Sequence, residues 1–118
     1  MIRIVDSLAI VRHLKSIFAL LCLGLLLTAP AHAEDHIVTQ KNKAFTVADA
    51  NIKVGDTITF RNEDTVVHNI FSLSDPMSFD LGTYAPGETR QVAFKTMGTY
   101  LIECSIHPNM KLNVHVTN

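Results

Sequence analysis

From Met110 to Thr117 the chain alternates without a break, with Met110, Leu112, Val114 and Val116 on one side and Lys111, Asn113, His115 and Thr117 on the other. Period two is the repeat of a strand, and a strand with one apolar side must lay that side on a core. Looser versions of the pattern run from His36 onward, in short β-branched and aromatic stretches. Gly55 and Asp56, Asp75 and Pro76, Pro86 and Gly87, and Gly98 separate these stretches. That spacing predicts an all-β sandwich or barrel, and no long amphipathic helical pattern competes with it after residue 33.

Two of these stretches carry unusual residues. Thr99 to Cys104 groups Tyr100, Ile102 and Cys104 on the more apolar face, so Cys104 is expected to point inward. Val66 to Phe71 is apolar on both sides apart from His68 and Asn69, which predicts a central strand covered on both faces. Ser72 to Tyr84 is the least regular segment and is expected to be a loop.

At 118 residues the chain has room for one domain. Its beginning is of a different kind. Arg3, Arg12 and Lys15 precede an apolar run from Ile17 to Leu27, after which Thr28, Ala29 and Pro30 lead to Ala31, His32 and Ala33. This is the layout of a secretory signal peptide with an A-x-A cleavage site after Ala33. The run falls short of the roughly 20 apolar residues that span a bilayer. Residues 1–33 are therefore expected to be a signal peptide, and residues 34–118 the folded domain, exported to the periplasm and not inserted in the membrane. Leu21, not a small residue, precedes Cys22, so Cys22 is expected to leave with the leader rather than take a lipid. The remaining chain has seven Lys and Arg against ten Asp and Glu, a balance that excludes a basic nucleic-acid surface. It also keeps a single cysteine, Cys104. An unpaired cysteine in a thiol-oxidising compartment calls for a chemical role.

Cys104, His107 and Met110 stand at intervals of three on a segment between two predicted strands, so their side chains can converge. A thiolate, an imidazole and a thioether suit copper in both oxidation states better than calcium or magnesium. His68, from a distant strand, can add a second imidazole. Two imidazoles and a thiolate with a weak axial thioether make the blue-copper electron-transfer arrangement. Each residue alone has an ordinary explanation: an inward cysteine packs, a histidine hydrogen-bonds, a methionine fills space. What favours a site is their joint spacing, their place between strands and the use of the domain's sole cysteine. His36 and His115 fit no ligand position and are read as surface residues.

The stretch Cys104-Ser105-Ile106-His107-Pro108-Asn109-Met110 resembles the ligand loop of the cupredoxin family, and within it the short-loop members amicyanin and pseudoazurin. Val54-Gly55-Asp56-Thr57-Ile58-Thr59-Phe60, then Asn62, then Val67-His68-Asn69-Ile70, is similar to the family's first-histidine region. The likeness covers residues 45–118 and departs at Ile106, where amicyanin-like loops often carry proline. It implies a Greek-key β-sandwich holding one copper ion, Cu(I) or Cu(II), through His68, Cys104, His107 and Met110. His107 would be the ligand nearest solvent, and Asn69 would tie the two ligand segments together. An apolar partner patch would draw on Met77, Phe79, Pro86 and Pro108. The function implied is a monomeric one-electron carrier between a dehydrogenase donor and a cytochrome or oxidase acceptor, with no turnover of its own. A copper-delivery or copper-storage protein is the competing reading, and would need exposed, labile ligands. A cysteine hydrolase using Cys104 and His107 lacks an evident oxyanion hole.

Overall fold

The computed structural model describes residues 28–118, so the basic and apolar parts of the expected leader, Cys22 included, lie outside the described residues. Residues 28–34 form no regular structure and are exposed. Nine strands follow: β1 (Asp35–Lys41), β2 (Ala44–Phe45), β3 (Asp49–Lys53), β4 (Thr57–Asn62), β5 (His68–Ser72), β6 (Phe79–Tyr84), β7 (Thr89–Ala93), β8 (Gly98–Glu103) and β9 (Lys111–Thr117). They make a four-stranded sheet in the order β2-β1-β4-β7 and a five-stranded sheet in the order β3-β9-β8-β5-β6. The pairs β1–β4 and β3–β9 are parallel, and the other pairs are antiparallel. The expected all-β sandwich is what forms.

Alternation decides what each strand buries. Leu112, Val114 and Val116 of β9 face inward together with Tyr100 and Ile102 of β8, and Ile58 and Phe60 of β4 meet them from the other sheet in one continuous core. Each such side chain contributes roughly 1.5–3 kcal/mol through the apolar surface it removes from water. Cys104 and Met110 belong to the same core, each 1% exposed.

Two turns follow from their residues. Ala85-Pro86-Gly87-Glu88 joins β6 to β7 with Gly87 at φ 84°, and Glu88 N–H returns to the Ala85 carbonyl at 3.0 Å. A turn with proline second and a positive-φ residue third needs glycine there. The hairpin between β1 and β2 instead puts Asn42 and Lys43 at φ 53° and 56°. Two successive left-handed residues fit the twist of a two-residue hairpin, but lysine adopts that conformation at some cost.

Two expectations need correction. The predicted strand over Val66–Phe71 begins at His68, and Val67 is 44% exposed, because the segment ahead of His68 is a loop tied back to β4. The predicted loop over Ser72–Tyr84 contains β6, an edge strand whose pairing with β5 slips between Asn69 and Phe71. That bulge and the exposed surroundings of Gly82 and Thr83 erase the alternation by which a strand is recognised.

Candidate metal centre

The site lies where β5 begins and β8 ends. Asn62, fully buried at the end of β4, shapes the approach. Its Nδ2 donates to the carbonyls of Val66 (2.9 Å) and Tyr84 (3.2 Å), and its Oδ1 accepts from Asp64 N–H (2.9 Å). The loop so held delivers His68, itself 0% exposed, to the first position of β5. From β8 comes Cys104, and the short loop after it turns back so that Met110 N–H donates to the His107 carbonyl at 2.9 Å.

These elements bring three ligand-type atoms together. His68 Nδ1 lies 3.1 Å from His107 Nδ1 and 3.9 Å from Cys104 Sγ, and His107 Nδ1 lies 3.8 Å from Sγ. A point in the plane of this triangle stands about 2.1 Å from all three atoms, within the roughly 2.0–2.3 Å over which imidazole nitrogen and thiolate sulfur bind a metal. The donor set is soft to borderline and fits copper. Met110 places its side chain in the core with Cys104, directly after the loop.

The surroundings hold these groups in place. Asn69 N–H donates to Cys104 Sγ at 3.4 Å, and Asn69 Oδ1 accepts from Ser105 N–H at 2.6 Å and from Ser105 Oγ at 3.0 Å. One residue of β5 thus fixes the start of the ligand loop, which is the tie the resemblance implied. The remote nitrogen of His68, Nε2, lies 3.0 Å from Asp64 Oδ2. With Nδ1 turned toward the common point, Nε2 carries the proton and donates it to the carboxylate. Lys43 N–H reaches the same Oδ2 at 2.7 Å, so the strained hairpin turn is anchored there too. Asp64 is held down to about 2, chiefly by the Lys43 N–H, with the His68 and Thr65 bonds adding to it against partial burial. His107 is pushed below the usual imidazole range by burial first, then by His68 and Lys43. Burial raises the Tyr84 phenol, whose hydroxyl donates to the buried Gln40 Oε1.

His107 is half-buried while His68 is fully buried, so His107 offers the ring edge nearest solvent. Pro108 and Ile106 beside it are exposed, and so is Pro86. Met77 and Phe79 are half-buried and pack against the core, and Phe79 pairs with Ser72 at the far end of β5 from His68. His115 is a surface histidine, as expected, 3.2 Å from Asp49. His36, read as an ordinary surface residue, is instead bonded to the buried Asp56 at 2.8 Å. Asp64 went unnoticed in the sequence. Its only signal there is an acidic residue four positions before a ligand-type histidine.

The sequence profile of the copper binding proteins, plastocyanin/azurin family, matches residues 33–117. The chain belongs to that family. Among curated proteins this cupredoxin is 34% identical over 90 residues to the methylamine utilization protein MauL of Methylophilus methylotrophus, covering 74% of this chain and 51% of that protein. It is 30% identical over 88 residues to MauL of Methylorubrum extorquens, covering 74% of this chain and 77% of that one. It therefore spans about half the length of the first of these relatives and three quarters of the second. Among solved structures, a Cu-containing nitrite reductase from Thermus scotoductus SA-01 superposes with a TM-score of 0.67 at 27% identity, over 71% of this chain and 22% of that one. A mutant of amicyanin in its Cu(I) form shares the cupredoxin fold, with a TM-score of 0.65 at 22% identity over 70% of this chain and 81% of that one.

Proposed function

We propose that this cupredoxin is an exported one-electron carrier whose single copper, held by His68, Cys104, His107 and Met110, alternates between Cu(I) and Cu(II). The observation that carries this reading is the triangle of two imidazole nitrogens and one thiol sulfur around a common point, with His68 and Cys104 buried and His107 half-buried. Bound copper would supply a one-electron couple. The protein supplies a donor set acceptable to both oxidation states, in positions held by strand ends and by the bonds of Asn69 and Asp64, so that little has to move when the charge changes.

His107 is the exit for the electron, since it alone of the three joins the centre to the surface. The partners would be a dehydrogenase-type donor and a cytochrome or oxidase acceptor, met in the periplasm after loss of residues 1–33. The reduction of nitrite named for the Thermus protein belongs to a chain of which this one spans 22%. Copper delivery or storage is not favoured. Both would need ligands that release metal readily, and His68 and Cys104 are 0% and 1% exposed.

The test is direct. Cu(II) added to the purified protein should give an intense visible sulfur-to-copper band that bleaches on reduction and returns on reoxidation. A colourless complex, or a band that does not cycle, would overturn the electron-carrier reading.

A further inference from the structure

At the end of the sandwich away from the metal centre, Asp56 is 4% exposed. Its carboxylate gathers three donors: Glu34 N–H on Oδ1 at 2.9 Å, Lys53 N–H on Oδ2 at 2.9 Å, and His36 Nε2 on Oδ2 at 2.8 Å. The Lys53 bond belongs to the turn into β4, where Asp56 N–H returns to the Lys53 carbonyl at 3.0 Å. The Glu34 bond belongs to no turn, because it spans 22 positions. It fixes the residue just ahead of β1, and that residue is held from its other side as well, its carbonyl accepting from Thr57 N–H at 2.9 Å. Residues 28–33 before it are exposed and belong to no strand. Ala31, His32 and Ala33 put the bond that a signal peptidase would cut between Ala33 and Glu34.

We propose that Asp56 is the docking site of a processed N-terminus: cutting the Ala33–Glu34 bond turns the Glu34 N–H, already 2.9 Å from Oδ1, into an α-ammonium paired with the Asp56 carboxylate. The inference rests on the export reading above. In the cut, water is consumed and the Ala33–Glu34 carbon–nitrogen bond breaks. The hydroxyl goes to the Ala33 carbonyl carbon and the hydrogen to the Glu34 nitrogen. The proton then lost by the new carboxylic acid balances the one gained by the new amine.

The gain is in the kind of bond. A neutral amide donating to a carboxylate is replaced by a bond charged on both sides, which is the stronger kind. The added hydrogens are not stranded, since Glu34 borders an open cleft of about 330 Å³ with His36, Lys53 and Thr117, from which water can serve them. His36 Nε2 meets the other oxygen of the same carboxylate, Oδ2, and Lys53 Nζ donates to the Asn118 carbonyl, so Oδ1 is left to the Glu34 nitrogen. The nearest other acid on β1, Asp35, accepts from the Thr59 hydroxyl. The uncut chain has the same contacts with a neutral donor, so part of the fold's stability is withheld until the leader is gone.

The full chain, expressed in a bacterial host that exports it, should yield a protein whose intact mass begins at Glu34. An uncut chain, or a start at another residue, overturns the proposal. Inserting one alanine between Ala33 and Glu34 leaves the cut after Ala33, because a cut one residue later would place His32 where a small residue is required. The exported product then starts with the added alanine, and Glu34 keeps a neutral N–H. Its unfolding constant in denaturant, measured without copper, should be about tenfold larger than that of the unaltered protein. In an Asp56→Asn background the two N-termini should unfold alike. Should that variant not accumulate, acetylating the α-amine of the unaltered exported protein should reproduce the tenfold loss. Equal unfolding of the two N-termini, or a difference that survives Asp56→Asn, or no effect of acetylation, each overturns the proposal. None of these readouts needs copper, so a protein that fails to turn blue would defeat the electron-carrier reading and leave this one standing.

Discussion

Replacing Asn69 by alanine should separate the strand-borne ligand from the loop-borne ones. The amide oxygen of Asn69 accepts from both Ser105 N–H (2.6 Å) and Ser105 Oγ (3.0 Å), which ties β5 to the ligand loop. Asn69 is 5% exposed, but Ser105 is at the surface, so water can reach the serine once the amide is gone. Each bond is then worth its net value of about 1 kcal/mol rather than a full burial penalty, and the variant should lose about 2 kcal/mol. For a domain this small, with a urea dependence of about 1 kcal/mol per molar, the unfolding midpoint should fall by about 2 M. Ser105→Ala removes only the hydroxyl bond and should cost about 1 kcal/mol or less. The double variant should unfold where Asn69→Ala alone does, since the hydroxyl has then lost its acceptor. Urea unfolding of the four apo-proteins, followed by circular dichroism, measures all of this. Additive losses, or an Asn69→Ala midpoint within a few tenths of a molar of the parent, would refute the idea that this amide joins the two ligand segments.

Cys104→Ala should abolish the visible copper band while the apo-protein keeps its circular dichroism. Met110→Ala should keep a coloured site, shift its reduction potential, and cost about 2–5 kcal/mol by opening a cavity at a fully buried position, which a melt and a voltammogram would show together. Asp64→Asn removes the charge behind His68 Nε2 and should weaken Cu(II) binding roughly 10–100-fold and raise the reduction potential, whereas Asp64→Glu should recover part of both; equilibrium titration and voltammetry decide it. Asp56 is lowered from 3.8 to about 2, chiefly by the Glu34 and Lys53 N–H groups and then by His36. The unfolded chain therefore takes up this proton first on acidification. The stability Asp56 contributes should be complete above pH 3.8 and decline as pH falls toward 2, and melts of Asp56→Asn should be flatter over that window than those of the parent.

What could be read from the sequence, and what could not, follows from how local each signal is. The apolar sides of β8 and β9 are regular because both strands run through the centre of the five-stranded sheet with one face on the core, so Tyr100, Ile102, Leu112, Val114 and Val116 were all identifiable as buried. The spacing of Cys104, His107 and Met110 was legible for a similar reason, since all three sit within one short turn. His68 is weaker in the sequence, offered as a second imidazole on a distant strand, because nothing in the 35 intervening residues announces that it faces Cys104. β6 escaped notice because it is an edge strand with a bulged partner, and pattern disappears where only one face of a few residues is covered. The roles of Asp64 and His36 are not legible because they depend on partners distant in sequence, Lys43 for the first and Asp56 for the second. Phe79 enters the expected patch through the resemblance alone, and its pairing with Ser72 sets it at the far end of β5 from His68.

The pairing of β5 with β8 rests on one registered pair, Phe71 with Glu103, and on either side of it side chains take over from the backbone. Toward one end Ser74 Oγ accepts from Leu101 N–H at 2.9 Å; toward the other Cys104 Sγ accepts from Asn69 N–H at 3.4 Å. The two strands therefore part like a zip opened from its top, and His68, Cys104 and His107 line the opening. An ion bound there joins strand ends that the sheet itself leaves unfastened. Colour and mechanical closure are then properties of the same few atoms, and stripping the metal should free the amides around Asn69 and Ser105 to exchange with solvent well before those of β9.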